Sequence, residues 1–542
     1  MTELSASTRA NMIDDIVGEE LDVLVIGGGI TGVGAAVDAA VRGLRVGLVE
    51  QADFASGTSS RSSKMIHGGL RYLATGDIKL VREALRERAL IASRAPHLVR
   101  PLPMMLPIYG RRIPWLRAKL EMGLLIYDLL GARRGYGWHK WLNVREVLGR
   151  LPNLDPSTLL GGLAYHDAQA DDVSLVLSNV RTAAQHGARV VNRARVCSLI
   201  ERDGRIAGAR VSFDGGDEVE VLAKVVVNTT GVWADKLFAE IDSSLGFALQ
   251  PSKGIHLTVR RDRVGIDSGI AFFSQTGNSN IFIEPWDEEL AFVGTSDTPY
   301  RGDLADPVAT EEEIALLLTE INRFLRTPLM RDDVIATWAG LRPLVVKVDA
   351  QGKVAAGNTK DVSRAHATVV SPGLVSMVGG KLTTYRHMAE DVIDAAARQL
   401  DRPVAACSTH LVPLDGAGPA RQKWTVDAIV EHLNVDRAVA RHLARRHGSN
   451  VATIVELCDD DASLRARLHP DRPYIRAEVI WAARYEMALS VDDVIHRRTR
   501  LGIETRDSGG TVADDIAQLL ADAGVTPLPG DDGDAVRARQ TV

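Results

Sequence analysis

The stretch that decides the fold is Leu21 to Glu50, LDVLVIGGGITGVGAAVDAAVRGLRVGLVE. Val23 to Ile26 are apolar throughout, as a parallel strand covered on both faces must be. Gly27, Gly29 and Gly32 follow at G-x-G-x-x-G spacing. The first permits a tight turn, the second lets a pyrophosphate approach the backbone, and the third lets helix and sheet pack closely. The alanine-rich segment after them reads as a helix whose positive N-terminus faces that pyrophosphate. A second apolar run ends at Glu50, eighteen residues past Gly32, where a carboxylate can accept hydrogen bonds from both ribose hydroxyls of an adenosine and disfavours a 2′-phosphate. The unit is a dinucleotide site, and at this point FAD and NAD are both open.

Outside this unit the chain has an ordinary globular composition: 542 residues, 45% hydrophobic and 25% charged. A net charge of −6 argues against nucleic acid as the main partner. Cys197, Cys407 and Cys458 are too scattered for a disulfide framework or a metal knuckle, so no metal is expected and a reducing cytoplasm is the natural setting. Residues 1–20 lack the basic start and apolar core of a signal peptide, and the longest span candidate, Leu120 to Leu130, is short and carries Glu121 and Asp128.

Past Glu50, GTSSRSSKMIHGGLRY (Gly57 to Tyr72) is crowded with hydroxyls, cations and glycines. Thr58, Ser59, Ser63, His67 and the paired Gly68 and Gly69 suit a loop around phosphates and a flavin ring, because hydroxyls and open backbone N–H groups are the donors such oxygens need. A solvated serine-rich linker would not carry Met65, Ile66, Leu70 and Tyr72 at regular intervals. Ile78 to Arg94 has helical period. Arg111 to Leu142 joins an apolar helical stripe to ends rich in Trp115, Arg117, Lys119, Arg133, Arg134, Trp138, Lys140 and Trp141. Such a segment is either a packed helix with a basic rim or an interfacial helix on a membrane, and the packed reading is slightly preferred.

Asp171 to Gln185 reads as a helix, Arg189 to Leu199 as a strand, and KVVVNTTGVWAD (Lys224 to Asp235) as a buried strand ending at Thr230 and Gly231. A second strand ending in glycine brings backbone to the dinucleotide twice, as FAD requires and an NAD half-site does not. Phe247 to Pro343 shifts to strands such as HLTVRR, IFIEPW and LAFVGTSD, plus a helix over Thr310 to Leu325 with a capping box in Thr310 and Glu313. Lys253, Gly254 and His256 open its first long strand. Trp338 to Leu344 and GLVSMVGGKLTTYRHM (Gly373 to Met388) are assigned to the nucleotide fold, the latter as strand, Gly-Gly turn and helix start with Thr383 and Thr384 as caps. Asp401 to Ala417 reads as a linker, and periodic apolar stripes from Ala420 to about Leu501 predict a small helical domain.

The set VIGGGITGVGAAVDAAVRG, SSKMIHGGLRYL, GTSDT at Gly294, GLRPL at Gly340 and GGKLTTYR at Gly379 resembles the FAD-dependent, quinone-linked glycerol-3-phosphate dehydrogenases, within the D-amino-acid-oxidase-like flavoproteins. The resemblance covers Leu21 to Arg386 and runs more weakly to about Arg500. It implies an α/β fold: a Rossmann-like FAD-binding domain in segments 18–75, 165–240 and 335–400, an inserted, mainly antiparallel substrate domain in 76–164 and 241–334, a linker at 401–418, a helical C-terminal domain at 419–520 and a mobile tail at 521–542.

The resemblance also carries site residues. Non-covalent FAD is expected at Gly27, Gly29, Gly32, Glu50, Thr58, Ser59, Ser63, His67, Gly68, Val196, Thr230, Gly231, Gly380, Lys381 and Leu382, with Arg195 and Val196 beside the adenine. Arg71 and Arg342 are the expected phosphate ligands, because guanidinium forks match phosphate oxygens. Lys381, Thr383 and Tyr72 complete the pocket by analogy, and His256 is the base, since a neutral imidazole titrates in the right range. Glycerol 3-phosphate is then oxidised to dihydroxyacetone phosphate, with electrons leaving to a quinone or another acceptor. A peroxide-producing glycerol-phosphate oxidase, an amino-acid or sarcosine oxidase, and a flavin-binding regulator without catalysis are the rival readings. A lipid surface on the inner face of the plasma membrane and a second copy of the chain are the remaining candidate partners.

Overall fold

The structure is a computed structural model, and it describes residues 2–74, 76–110, 114–131, 136–234, 247–273, 280–347 and 366–526. In chain order its strands begin with β1 (Leu21–Ile26), β2 (Val46–Val49), β3 (Met65–Ile66), β4 (Arg100–Tyr109), β5 (Lys140–Leu142) and β6 (Leu159–Gln169). Next come β7 (Arg189–Val191), β8 (Ala194–Arg202), β9 (Arg205–Phe213), β10 (Glu218–Asn228), β11 (Phe247–Arg260) and β12 (Gly269–Phe273). The last are β13 (Asn280–Pro285), β14 (Leu290–Gly294), β15 (Thr298–Pro299), β16 (Val334–Lys347), β17 (Ala367–Ser371) and β18 (Leu374–Val378).

Two sheets result. In the first, β18, β10, β1, β2 and β7 lie side by side and parallel, and β17 turns back along β18. One face is covered by α2 (Ile30–Val41), α5 (Asp172–Gln185) and α7 (Tyr385–Ala397), which share a core with Val23, Val25 and Leu48. The other face packs on β8 and β9 through Leu24, Ile26, Val211 and Val221. The second sheet, in the order β15-β11-β14-β13-β12-β4-β6-β3, is antiparallel except where β12 meets β4. It rests on α6 (Glu311–Asn322), which has the expected reciprocal cap between Thr310 and Glu313. Beyond it, helices from Val426–Leu433 to Ala513–Asp522 enclose a core of their own around Trp481.

Several expectations are corrected. Trp338 to Leu344 lies on β16 in the second sheet, not in the nucleotide fold, because β16 pairs with β11 along its length, with Ser252 opposite Arg342 and His256 opposite Trp338. Residues 165–169 likewise end β6 of the second sheet. The strand read at Arg189 to Leu199 is two strands, broken at Arg193, whose φ of +51° points its N–H to the Ala52 carbonyl. The buried strand read from Lys224 begins at Glu218, and its first half pairs antiparallel with β9 before the second half joins β1.

The polar N-terminus contains α1 (Ala6–Gly18), which the sequence reading passed over. Ser5 caps it, Ile16 enters the core, and Arg9 pairs with Asp214 at 2.8 Å. Residues 401–418 form a packed strap, not a free linker: Arg94 donates to the Val412 carbonyl at 2.8 Å, and Asp415 takes Arg181 at 2.6 Å. The tail expected from 521 does not begin there, since α-helix Ala513–Asp522 crosses that point and Val525 is buried in the C-terminal core. Residues 527–542 lie outside the described residues, as do Arg111, Arg133 and Arg134.

Buried ion pairs join the helical unit to the nucleotide sheet. Asp53 is fully buried and receives Arg497 at 2.5 Å and Arg498 at 2.6 Å. Burial alone would raise its carboxyl pKa, but the two guanidiniums outweigh burial and hold it far below the usual range. Asp172 joins Lys64 at 2.9 Å and Arg500 at 2.6 Å in the same way. Because removing one partner strands the others in a low-dielectric interior, Asp53→Asn should cost about 3–5 kcal/mol. Urea unfolding followed by tryptophan fluorescence checks this. A loss under about 1 kcal/mol, the worth of an exposed pair, would show that these ion pairs are not what holds the two units together.

Candidate active site

The nucleotide end is built where α2 begins. Gly27 has φ +107°, and a Cβ on Gly32 would sit 1.9 Å from the Gly27 carbonyl oxygen and 2.6 Å from Thr229 Oγ1. Only glycine lets α2 start this close to β1 and β10. Gly29 is the N-cap and has no side-chain cap, while the Ile30 N–H donates to Ser59 Oγ at 2.9 Å. Glu50 directly follows β2 and is buried. Its carboxylate accepts the Gly28 N–H at 2.7 Å and the Ala52 N–H at 2.9 Å, and burial pushes its pKa up against these bonds. The Glu50 carbonyl accepts the Ala194 N–H at 2.7 Å, which brings β8 and Val196 to the same sheet end. Thr230 and Gly231 continue β10 beside them.

A cavity of about 750 Å³ opens from this point between the two sheets. Its wall gathers Thr58, Ser59, Ser63, His67, Tyr72, His256, Arg342, Gly380, Lys381 and Leu382, all singled out from sequence. His256 is buried, its ring stacked on Trp338 with centroids 4.9 Å apart, and its Nε2 is 2.8 Å from Ser63 Oγ. Nδ1 has no hydrogen-bond partner among the described residues. Burial, with the Arg342 and Lys64 charges, holds the imidazole pKa well below its ordinary value, so the ring is neutral at pH 7. A Cβ on Gly294 would fall 2.2 Å from the His256 ring, so the glycine of GTSDT makes room for that side chain.

Arg342 is braced by the Ser296 carbonyl at 3.1 Å and Thr295 Oγ1 at 3.0 Å, with Asp297 at 3.5 Å. Lys381 Nζ lies 4.0 Å from the centre of the Tyr72 ring. Two expectations change here. Gly68 does not line the cavity: its N–H is taken by Asp167 at 2.9 Å, its Cα faces Leu85 and Tyr127, and Gly69 forms the wall instead. Thr383 and Thr384 do not cap α7, because Thr384 makes no cap bond and buried Thr383 accepts the His67 N–H at 3.2 Å. Arg71 opens a short helix, Arg71–Ala74, and its side chain lies outside the described residues.

The sequence reading assigned no role to Arg61, Thr295 or Asp297, all of which line the cavity. GTSDT carried the last two, but only pairing of β14 with β11 turns them toward His256. It also left open how α4 (Pro114–Gly131) sits. Leu120 and Leu124 line the cavity, while Trp115, Met122 and Leu129 are 62%, 56% and 58% exposed. Elsewhere, His366, His387 and Asp391 bring ligand atoms within 4.8 Å of one another, a spacing that could hold a cation outside this cavity.

Residues 22–386 match the family described as FAD dependent oxidoreductase, and residues 407–524 match the C-terminal domain of alpha-glycerophosphate oxidase. Glycerol-3-phosphate dehydrogenase 2 of Mycobacterium tuberculosis is 39% identical over 510 residues, covering 93% of this chain and 85% of its own. The chain belongs to the FAD-dependent glycerol-3-phosphate dehydrogenases. The mitochondrial glycerol-3-phosphate dehydrogenase of Bos taurus is 36% identical over 525 residues, 92% of this chain and 70% of its own. The structure of the Bacillus halodurans glycerol-3-phosphate dehydrogenase complexed with FAD superposes with a TM-score of 0.78 at 29% identity, over 99% of this chain and 97% of that one.

The residues present in this dehydrogenase fit its cofactor. The start of α2, whose Ile30 and Ser59 line a cavity walled by hydroxyls and a lysine, and the buried Glu50 that accepts the Gly28 N–H beside it are the donor and acceptor set a dinucleotide needs. Gly32→Ala should therefore force α2 away from β1 and leave the purified dehydrogenase with little bound flavin, measured as the ratio of visible flavin absorbance to protein. Full flavin content in that variant would show that the close approach is dispensable.

Proposed function

We propose that the chain oxidises glycerol 3-phosphate to dihydroxyacetone phosphate in the 750 Å³ cavity and passes the electrons to a membrane quinone. The observation that carries this reading is the pairing of a neutral buried imidazole, His256, with the braced guanidinium of Arg342 on one wall of a single cavity. FAD, when bound, supplies N5 as acceptor of the hydride from C2. His256 removes the C2 hydroxyl proton, and Ser63 holds its ring in place. Arg342 binds the phosphate, with Arg71 as the second cation, and thereby orients C2. Lys381 and Tyr72 close the pocket, Thr383 fixes the His67 loop, and the backbone of Gly380 to Leu382 offers donors to the cofactor's pyrimidine edge.

A quinone acceptor is supported by α4. The helix walls the cavity with Leu120 and Leu124 and turns Trp115, Met122, Leu125 and Leu129 outward, beside exposed Trp138. Lys119 lies over Trp115 and Arg117 over Trp141, the pairing of cations with indoles that suits a headgroup boundary. No helix among the described residues is long and apolar enough to cross a membrane. Peripheral docking by this face would present the cavity to a lipid-dissolved acceptor.

Two experiments test these readings. Arg342→Ala should lower kcat/KM for glycerol 3-phosphate by roughly ten- to a hundredfold, the worth of one or two charge-assisted hydrogen bonds, and hardly change the slow turnover of glycerol. Equal slowing of both substrates would assign Arg342 to the fold or the flavin. Replacing Trp115, Trp138 and Trp141 together with Ser should abolish binding to anionic vesicles and quinone reduction while activity with a soluble dye persists. Oxygen consumption at the dye-reduction rate would instead favour the oxidase.

A further inference from the structure

A separate cavity of about 190 Å³ lies where the C-terminal helices meet the second sheet and the start of α5, and it shares no lining residue with the first cavity. Its wall is rich in arginine, and most of these are paired with carboxylates, Arg441 with Glu288 and Arg472 with Asp287 and Glu504. Arg100 and Arg445 are the exceptions among the described residues: neither has a carboxylate within ion-pair distance. Arg100 sits on β4 and donates to neutral groups, Gln169 Oε1 at 2.6 Å and the Trp286 carbonyl. Arg445 faces it from α8 (Arg437–His447), exposed to solvent. Burial and the Arg445 charge push the Arg100 pKa down to about 10, as expected for two like charges across a weakly screened gap. His97 lines the same cavity with its Nδ1 buried and without a partner among the described residues.

We propose that this cavity binds a small phosphate dianion, free or as a three-carbon phosphate ester, between Arg100 and Arg445. Arg445 offers a planar guanidinium fork and Arg100 its remaining Nη1 donors to phosphate oxygens, and a dianion removes the repulsion between them. The volume is below that of a pocket for drug-sized ligands and excludes a nucleotide. Bound there, the anion ties α8 of the helical unit to β4, whose Leu106 also walls the catalytic cavity. It is therefore an anion site that couples the C-terminal unit to the substrate sheet.

Isothermal titration of the flavin-loaded protein with inorganic phosphate should show two sites per chain. Arg445→Gln and Arg100→Gln should each weaken one of them by roughly tenfold or more and leave glycerol 3-phosphate turnover in phosphate-free buffer unchanged. Arg445 is exposed, and Gln is a good helix former, so the first variant keeps its fold. Arg342→Ala should weaken the other site alone, so failure of the catalytic reading and failure of this one give different results. Repeating the titration with glycerol 3-phosphate and with dihydroxyacetone phosphate identifies the tighter ligand as free ion or ester. A single site in the wild type, or wild-type phosphate binding in both Arg445→Gln and Arg100→Gln, overturns the proposal.

Discussion

The ladder between β11 and β16 is the constraint on which the proposed chemistry depends. It fixes Ser252 opposite Arg342 and His256 opposite Trp338, so the proposed base and the proposed phosphate ligand are set by one antiparallel register. Side chains alternate faces with period two, and a slip of one residue between the two strands would leave only one of His256 and Arg342 facing the cavity. The neighbours enforce the register. Gly294 on β14 leaves room for the His256 ring, Trp338 covers its face, and Thr295 and Ser296 hold the Arg342 guanidinium. The proposed base and phosphate ligand are held firmly because both lie on paired strands.

The same packing sets the charge state. His256 is surrounded by cations, Arg342 and Lys64, and buried as well, so protonating it in place is unfavourable on both counts. The imidazole therefore stays in the unprotonated form that a base needs, while burial and the two cations weaken its drive to take up a proton. The sign of its contribution to stability follows. The unfolded chain takes up a proton near pH 6.5 that the folded chain refuses, so this histidine costs stability as pH falls through that value. The two cations beside it suit an anionic substrate and an anionic cofactor.

How much of this was legible in the sequence varies by physical cause. The βαβ unit from Leu21 to Glu50 was readable to the residue, since Gly27, Gly32 and Glu50 act through local geometry and fixed spacing. Arg342, Lys381 and Tyr72 stand in the family's motifs, His256 was singled out by its chemistry, and the four line one cavity. Non-local pairing was not readable. GLRPL was assigned to the wrong sheet because an apolar strand shows its period and not its partner, and the break at Arg193 depends on a carbonyl, Ala52, far off in sequence. Gly68 looked like a cofactor glycine because backbone openness is visible in sequence. That its N–H is already taken by Asp167 is visible only in three dimensions.

The helix α4 shows why the sequence leaves two readings of one segment open. A packed helix and an interfacial helix give the same periodic signal, and this one has two apolar faces. Leu120, Leu124 and Tyr127 face the protein, while Trp115, Met122, Leu125 and Leu129 face outward. A monomeric soluble protein has little reason to expose such a stripe, and a contiguous one marks a contact surface. Because the inner face of α4 is also a wall of the catalytic cavity, whatever covers the outer face lies one helix diameter, about 10 Å, from the chemistry. If lipid is the cover, a quinone need only pass the edge of α4 to reach the reduced cofactor. Substrate and acceptor would then enter a single cavity from opposite phases, the charged ester from water and the quinone from hydrocarbon.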